Sequence, residues 1–589
     1  MGRTPFALVA VVVLNTLAAC DGSGGASGGG SDASDASGGA LAGQVEVRED
    51  AEARGPAPAV DGATDGGTIT VHLPGDPGPA SLDPAAGWPS TGSAIQQALT
   101  HRSLTQFRRE ADGQPVLVPD LATDLGRSND DHTEWTFTIR EDATWENGAT
   151  ITAREVAWGI TRSLDARTFP GGAGSEYARS FFAGSEEYAG PYTDPDATWE
   201  GVRVDGQDIT ITMSRPFPEM DHWGAFLAMG PAPRGAASAP PAYGRKPLAS
   251  GPYRVKSFTP HEKLVLVRND QWRAESDPAR HQYADRWVFK FDQDQARVDR
   301  VMLAGGAAAE AAIATAVGSA RYAQAEDELG DRLVRQPSPC VTTLTPDYAK
   351  ITDIEVRRAL AHAYPYQDVW YTLGEVPGVT LVPAQGILPP GVPGRRDVLV
   401  DGDQVEFDPE RAQELLAAAG YADERYPITM IYHRGDPIAE QVQDEVTRGF
   451  EESGFAVRAI GVDESPYRVW LDPEHPTNKR LNLRGMHWCA DWPSGSTMIP
   501  PMLGTGAAYN TASFSEPAVD QEIERIARLP LEDQADAWGA LDETIMTDYF
   551  PIIPTAYRTD LFAFGARIGN PSGDRATGAP NYRDLYVSR

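Results

Sequence analysis

Cysteine is scarce: the chain has 3 in 589 residues, Cys20, Cys340 and Cys489, each far from the other two. That spacing excludes a C-x-x-C redox or zinc motif, and the 10 histidines contain no H-E-x-x-H pair, so no metal site is expected. No glycine-rich phosphate loop and no calcium-binding loop occur either. Basic charge is also short, with 51 Lys and Arg against 84 Asp and Glu and a net charge of −33. Such acidity argues against nucleic acid as a partner and against adhesion to anionic lipid. Of the basic residues only 6 are lysine, a bias typical of a GC-rich genome such as an actinobacterium's. Long apolar runs are absent apart from Phe6 to Leu14, which is too short to cross a bilayer as a stable helix.

What is present begins with that run. Behind Arg3 it reads as the apolar part of a secretory leader, and Leu17-Ala18-Ala19-Cys20 resembles a lipobox, in which the cysteine is lipidated and becomes the mature N-terminus. Residues 1–19 are therefore expected to be a signal peptide and Cys20 a lipid anchor at the outer face of the cell membrane. Residues 20–66 are mostly Gly, Ser, Ala, Asp and Glu with few large apolar side chains. That composition predicts a flexible tether, because little surface is buried to offset the entropy of ordering. Gly25-Ala26-Ser27-Gly28-Gly29 matches the G-x-S-x-G nucleophile pattern but lacks the strand before and the helix after that the pattern requires.

Beyond the tether, strands and helices alternate. Thr68 to Leu73 and Trp135 to Ile139 alternate with period two, and Val202 to Met213 reads as a hairpin turning near Asp205-Gly206. Thr152-Ala153-Arg154-Glu155 is a capping box before the apolar positions Val156, Ile160 and Leu164. Asp408-Pro409 opens and Gly420 closes a helix, and Asp436-Pro437 and Gly454 bracket another before the strand Phe455-Ala456-Val457. This rhythm predicts an α/β fold. Paired acids such as Glu186-Glu187 and Asp130-Asp131 sit in turn-like polar surroundings and read as solvated surface. No nucleophile constellation emerges, so no catalytic residue is assigned and the chain is not expected to be an enzyme.

Ten phrases, taken in order, resemble the extracytoplasmic solute-binding proteins of peptide ABC transporters, family 5. They are SLDPA (81–85), RSLTQF (102–107), LVPDLATD (117–124), WTFTIRE (135–141), ITAREVAWGITRSLD (151–165), SGPYRV (250–255), LVRNDQW (266–272), DIEVRRALAHA (353–363), FDPERAQELLAAAGY (407–421) and CADWPSGST (489–497). The resemblance implies a two-lobed clamp of the type II periplasmic-binding-protein class with an extra domain inserted in the first lobe. Lobe I is then expected at 67–105, 235–338 and 552–589, the inserted domain at 106–234 and lobe II at 339–551. It also implies that peptides add as an extended strand in the interlobe cleft and are handed to ABC permease subunits by a monomeric, cofactor-free receptor. The competing reading is an extracellular peptide sensor or chaperone-like binder without a dedicated permease.

In this family the last phrase places an acid against the α-ammonium of the peptide, and the acid in register is Asp491. A carboxylate in a water-poor cleft makes a strong charge-assisted bond to an ammonium; the bland alternative is an acid that caps its own turn near Ser494 or Gly495. Trp488, Cys489 and Trp492 flank it as further ligand-binding candidates, the tryptophans also reading as packing residues. Gly87 and Trp88 are the candidates for a facing backbone edge. With Cys20 lipidated, the two cysteines left to an oxidising compartment are expected to pair, and the resemblance supports a Cys340–Cys489 disulfide. The chain departs from the family at 305–316 (GGAAAEAAIATA) and at His362 to Tyr366, where Pro365 stands in a helical stretch.

Overall fold

A computed structural model describes residues 45–88, 91–400, 402 and 404–589. The leader, Cys20 and the tether to residue 44 lie outside the described residues. The chain divides into two compact units, one of residues 46–336 and 561–589, the other of residues 337–560. It passes between them within two strands, Leu333–Pro346 and Ile553–Phe564.

The first unit is organised on Thr68–Pro74, whose Ile69, Val71 and Leu73 are fully buried. This strand runs parallel to Arg286–Gln293 and to Ala312–Ala314. Lys263–Arg268 and Tyr253–Thr259 extend the sheet antiparallel. The departure at 305–316 supplies the strand Ala312–Ala314. Its small side chains fit where Val298, Met302, Ala325 and Leu329 pack from the flanking helices. A separate antiparallel sheet joins Arg127–Ser128, Glu134–Thr138, Asp208–Thr212 and Val202–Asp205. The helix Ala153–Ser163 starts at the expected capping box: Thr152 Oγ1 accepts from the Glu155 N–H at 3.3 Å and Glu155 Oε2 from the Thr152 N–H at 3.0 Å.

Residues 46–66, given to the tether on composition, are instead held on this unit. Arg48–Glu49 pairs in parallel with Val116 and Leu117. The Ala57 N–H donates to the Asp277 carbonyl, the Gly66 N–H to the Tyr283 carbonyl and the Thr64 hydroxyl to the Val587 carbonyl. The segment has few apolar side chains to bury, so main-chain hydrogen bonds do the holding, and composition does not report those.

In the second unit Tyr426–His433 and Phe455–Val462 pair in parallel. The helix Pro437–Glu452 connects them, capped by Asp436 and buried through Val446 and Phe450. Pro409–Ala418 is capped by Asp408, and Gly420 adopts φ +94° just past its end. Pro365 separates Ile354–Ala363 from Tyr366–Thr372. Gly449 makes room for that bend, since a Cβ there would lie 2.8 Å from the Ala363 carbonyl oxygen and 2.9 Å from Pro365.

Asp542 is fully buried in this unit and accepts from the main-chain N–H groups of Ile387 and Leu388. Burial pushes its pKa up to about 6. The unfolded value is about 3.9, so the folded state holds this proton more tightly; the stability it contributes is complete below the unfolded pKa and lost as pH rises through the folded one. Relative to Asp542→Asn, the wild type should lose on the order of 3 kcal/mol of unfolding free energy between about pH 4 and pH 6. Urea denaturation of both proteins across that range checks it, and parallel curves would contradict it.

Candidate functional site

Leu483–Cys489 lies at the edge of its sheet and pairs antiparallel with Cys340 to Pro346. The Ala490 N–H donates to the Pro339 carbonyl at 2.8 Å, which makes Pro339 and Ala490 a hydrogen-bonded pair. By alternation Cys340–Cys489 and Thr342–His487 are then non-hydrogen-bonded pairs, whose side chains approach closely and whose edge-strand N–H and C=O groups turn away from the partner. Cys340 and Cys489 occupy such a pair with Cα atoms 3.9 Å apart, and their sulfurs are bonded. A bridge across a sequence separation of 149 constrains the unfolded chain, worth on the order of 4–5 kcal/mol at most.

At Gly485 the Trp470 ring packs on one face of the strand, 3.1 Å from where a Cβ would stand. At His487 the Tyr467 hydroxyl does both jobs, accepting from the main-chain N–H at 2.5 Å and donating to the carbonyl at 3.0 Å. The N–H and C=O of Cys489 are the next outward pair, and no group among the described residues engages them. The His487 ring meets Thr342 Oγ1 through Nδ1 at 3.0 Å and lies 3.6 Å from Cys489 Sγ through Nε2. The ring is accessible at the surface, yet surrounding protein displaces enough water, with Arg558 adding repulsion, to pull its pKa down to about 4. Arg558 is held between Glu375 at 2.8 Å and Asp560 at 2.9 Å.

Beyond the strand the chain turns sharply. Asp491 is buried at 9 % exposure and Trp492 at 2 %. Ser494 caps the short turn Gly495–Thr497, accepting from the Ser496 N–H at 3.2 Å. The Trp488 indole donates to the Thr497 carbonyl at 2.7 Å and its ring packs on Tyr509. Gly495 is required where it stands, because a Cβ would meet the Trp538 Cβ at 2.5 Å. Trp492 is thus a buried side chain in this structure, and Trp488 is partly buried against the main core of the second unit.

In the first unit Asp83 caps the turn Pro84–Ala86 that leads to Gly87 and Trp88. Arg162 grips both Asp83 carboxylate oxygens at 2.7 Å, both residues 1 % exposed, and donates to the Tyr192 hydroxyl at 2.6 Å. The Trp88 ring stacks on Tyr177, with centroids 5.8 Å apart and 12° between planes. The carbonyls of Gly87 and Trp88 already accept from the Ala173 N–H and the Ser93 hydroxyl. Sequence reasoning singled out Asp491 and its neighbours but missed His487, Thr342, Tyr467 and the Asp83–Arg162 pair. A histidine two residues before Cys489 was the one signal available for the first group.

A family profile described as bacterial extracellular solute-binding proteins, family 5 Middle, matches residues 116–510. The Escherichia coli K12 periplasmic oligopeptide-binding protein OppA is 23% identical over 499 residues, covering 81% of this chain and 86% of that protein. The periplasmic murein peptide-binding protein MppA of the same organism is 23% identical over 494 residues, covering 81% and 85%. Among solved structures, clavulanic acid biosynthesis oligopeptide binding protein 2 superposes with a TM-score of 0.77 at 23% identity, covering 92% of this chain and 99% of that one. The unliganded open form of MppA gives a TM-score of 0.69 at 19% identity, covering 90% and 99%. The chain thus shares the α/β clamp fold of these proteins.

Proposed function

Because this chain belongs to the bacterial extracellular solute-binding proteins of family 5, we propose that it is a peptide receptor that delivers its ligand to the permease of an ABC importer. The observation that carries the reading is the free edge at Cys489, whose N–H and C=O face outward two residues before Asp491. An extended peptide adding there gains main-chain hydrogen bonds that tolerate many side chains, and each free peptide brings an α-ammonium for a carboxylate to meet. Asp491 takes that ammonium. Asp491→Ala should weaken binding of free-amine tri- to pentapeptides by about 2–5 kcal/mol, the usual cost of truncating one member of a buried charge pair. Isothermal calorimetry with a mixed peptide panel decides it: an unchanged affinity removes Asp491 from the role, and no binding by the wild type removes the peptide reading.

The same proposal places the lipid on Cys20, since one receptor held at the membrane surface meets its permease without diffusing away. Phase separation in detergent compares wild type with Cys20→Ala expressed in a bacterial host. The wild type should enter the detergent phase and the variant the aqueous phase, and aqueous partitioning of both would sink the anchor.

A further inference from the structure

The sulfurs of Cys340 and Cys489 and a ring nitrogen of His487 lie within 4.8 Å of one another, although the cysteines are 149 residues apart in sequence. We propose that this cluster, once its disulfide is reduced, is a binding site for a thiophilic cation such as Zn²⁺, so that the edge of the second unit is closed either by a sulfur–sulfur bond or by a metal.

Geometry supports the assignment from three directions. In a tetrahedral zinc site with Zn–S of about 2.3 Å and Zn–N of about 2.0–2.1 Å, the nitrogen-to-sulfur edge is about 3.6 Å. His487 Nε2 stands 3.6 Å from Cys489 Sγ. Once reduced, the two sulfurs must part to about 3.8 Å, which rotation about the Cys340 Cα–Cβ bond supplies while Cys489 Sγ keeps its distance from His487. Outer partners hold the ligands in place. Thr342 Oγ1 is 3.0 Å from His487 Nδ1 and, accepting that proton, leaves the lone pair on Nε2. The Tyr467 hydroxyl fixes the His487 main chain from both sides. Such outer hydrogen bonds orient metal ligands and raise their affinity. Three protein ligands leave a fourth position open to water.

The chemistry balances with a dithiol as reductant. Its two sulfurs give up two electrons and two protons and become a disulfide, while the Cys340–Cys489 bond takes them and becomes two thiols. Cation binding then displaces both thiol protons, and His487 adds its Nε2 lone pair.

The full chain, reduced with a dithiol and desalted without oxygen, is titrated with Co²⁺ as a spectroscopic stand-in for Zn²⁺. Reduced wild type should take up one Co²⁺ per chain with a thiolate-to-cobalt charge-transfer band that Zn²⁺ abolishes, and oxidised wild type should show no such band. His487→Ala, which keeps both cysteines, should bind at least tenfold more weakly and with altered ligand-field bands. Circular dichroism on the reduced protein controls for folding. Absence of the charge-transfer band, equal affinity and spectrum in His487→Ala, or loss of the native dichroism on reduction would each overturn the site. No peptide enters this test, so its failure and that of the peptide reading are separate results.

Discussion

The sulfur–sulfur bond of Cys340 and Cys489 closes a non-hydrogen-bonded pair of an antiparallel ladder, and the register it shares with Leu483–Cys489 dictates which main-chain groups the edge of the second unit turns outward. A slip of one residue would turn the outward main-chain groups of His487 and Cys489 toward the neighbouring strand and expose those of Met486 and Trp488. The bond prevents that slip. With the register fixed, Tyr467 covers the outward pair at His487, and no group among the described residues engages the next pair, at Cys489. The sharp turn through Asp491 to Gly495 follows at once, braced by Trp488 on Tyr509 and by Trp492 in the core.

Buried charge gives the first unit its counterpart to that bond. Arg102 and Arg280 lie between Asp120 and Asp277, with contacts of 2.5, 2.9 and 3.2 Å and exposures of 1 % or less. Asp83 and Arg162 form a second such pair under the turn to Trp88. Ion pairs removed from water add little net stability, yet losing one partner leaves an uncompensated charge costing about 3–5 kcal/mol.

Several phrases that resemble the family are the halves of these pairs. SLDPA carries Asp83 and ITAREVAWGITRSLD carries Arg162; RSLTQF carries Arg102 and LVPDLATD carries Asp120. The fold class and the helix ends were legible because caps, prolines and glycines act locally: Thr152, Asp408, Asp436, Gly420 and Gly454 each stand where sequence puts them. The pairings themselves were not legible, since nothing local records which acid meets which arginine. The same limit hid the approach of His487 to Thr342 and the main-chain bonds that hold residues 46–66. It also hid the setting of Ala309, Ala312 and Ala314, which are buried where the flanking helices pack.

The central claim is that a peptide completes the edge at Cys489, and main-chain hydrogen exchange reads that edge directly. Amide exchange is followed by NMR at Cys489 and Trp488 with and without a saturating free-amine peptide. Protection should appear at the Cys489 N–H, which faces outward, and change little at Trp488, whose N–H already lies in the ladder with Val341. A peptide that binds while the Cys489 amide exchanges as fast as before would contradict the account.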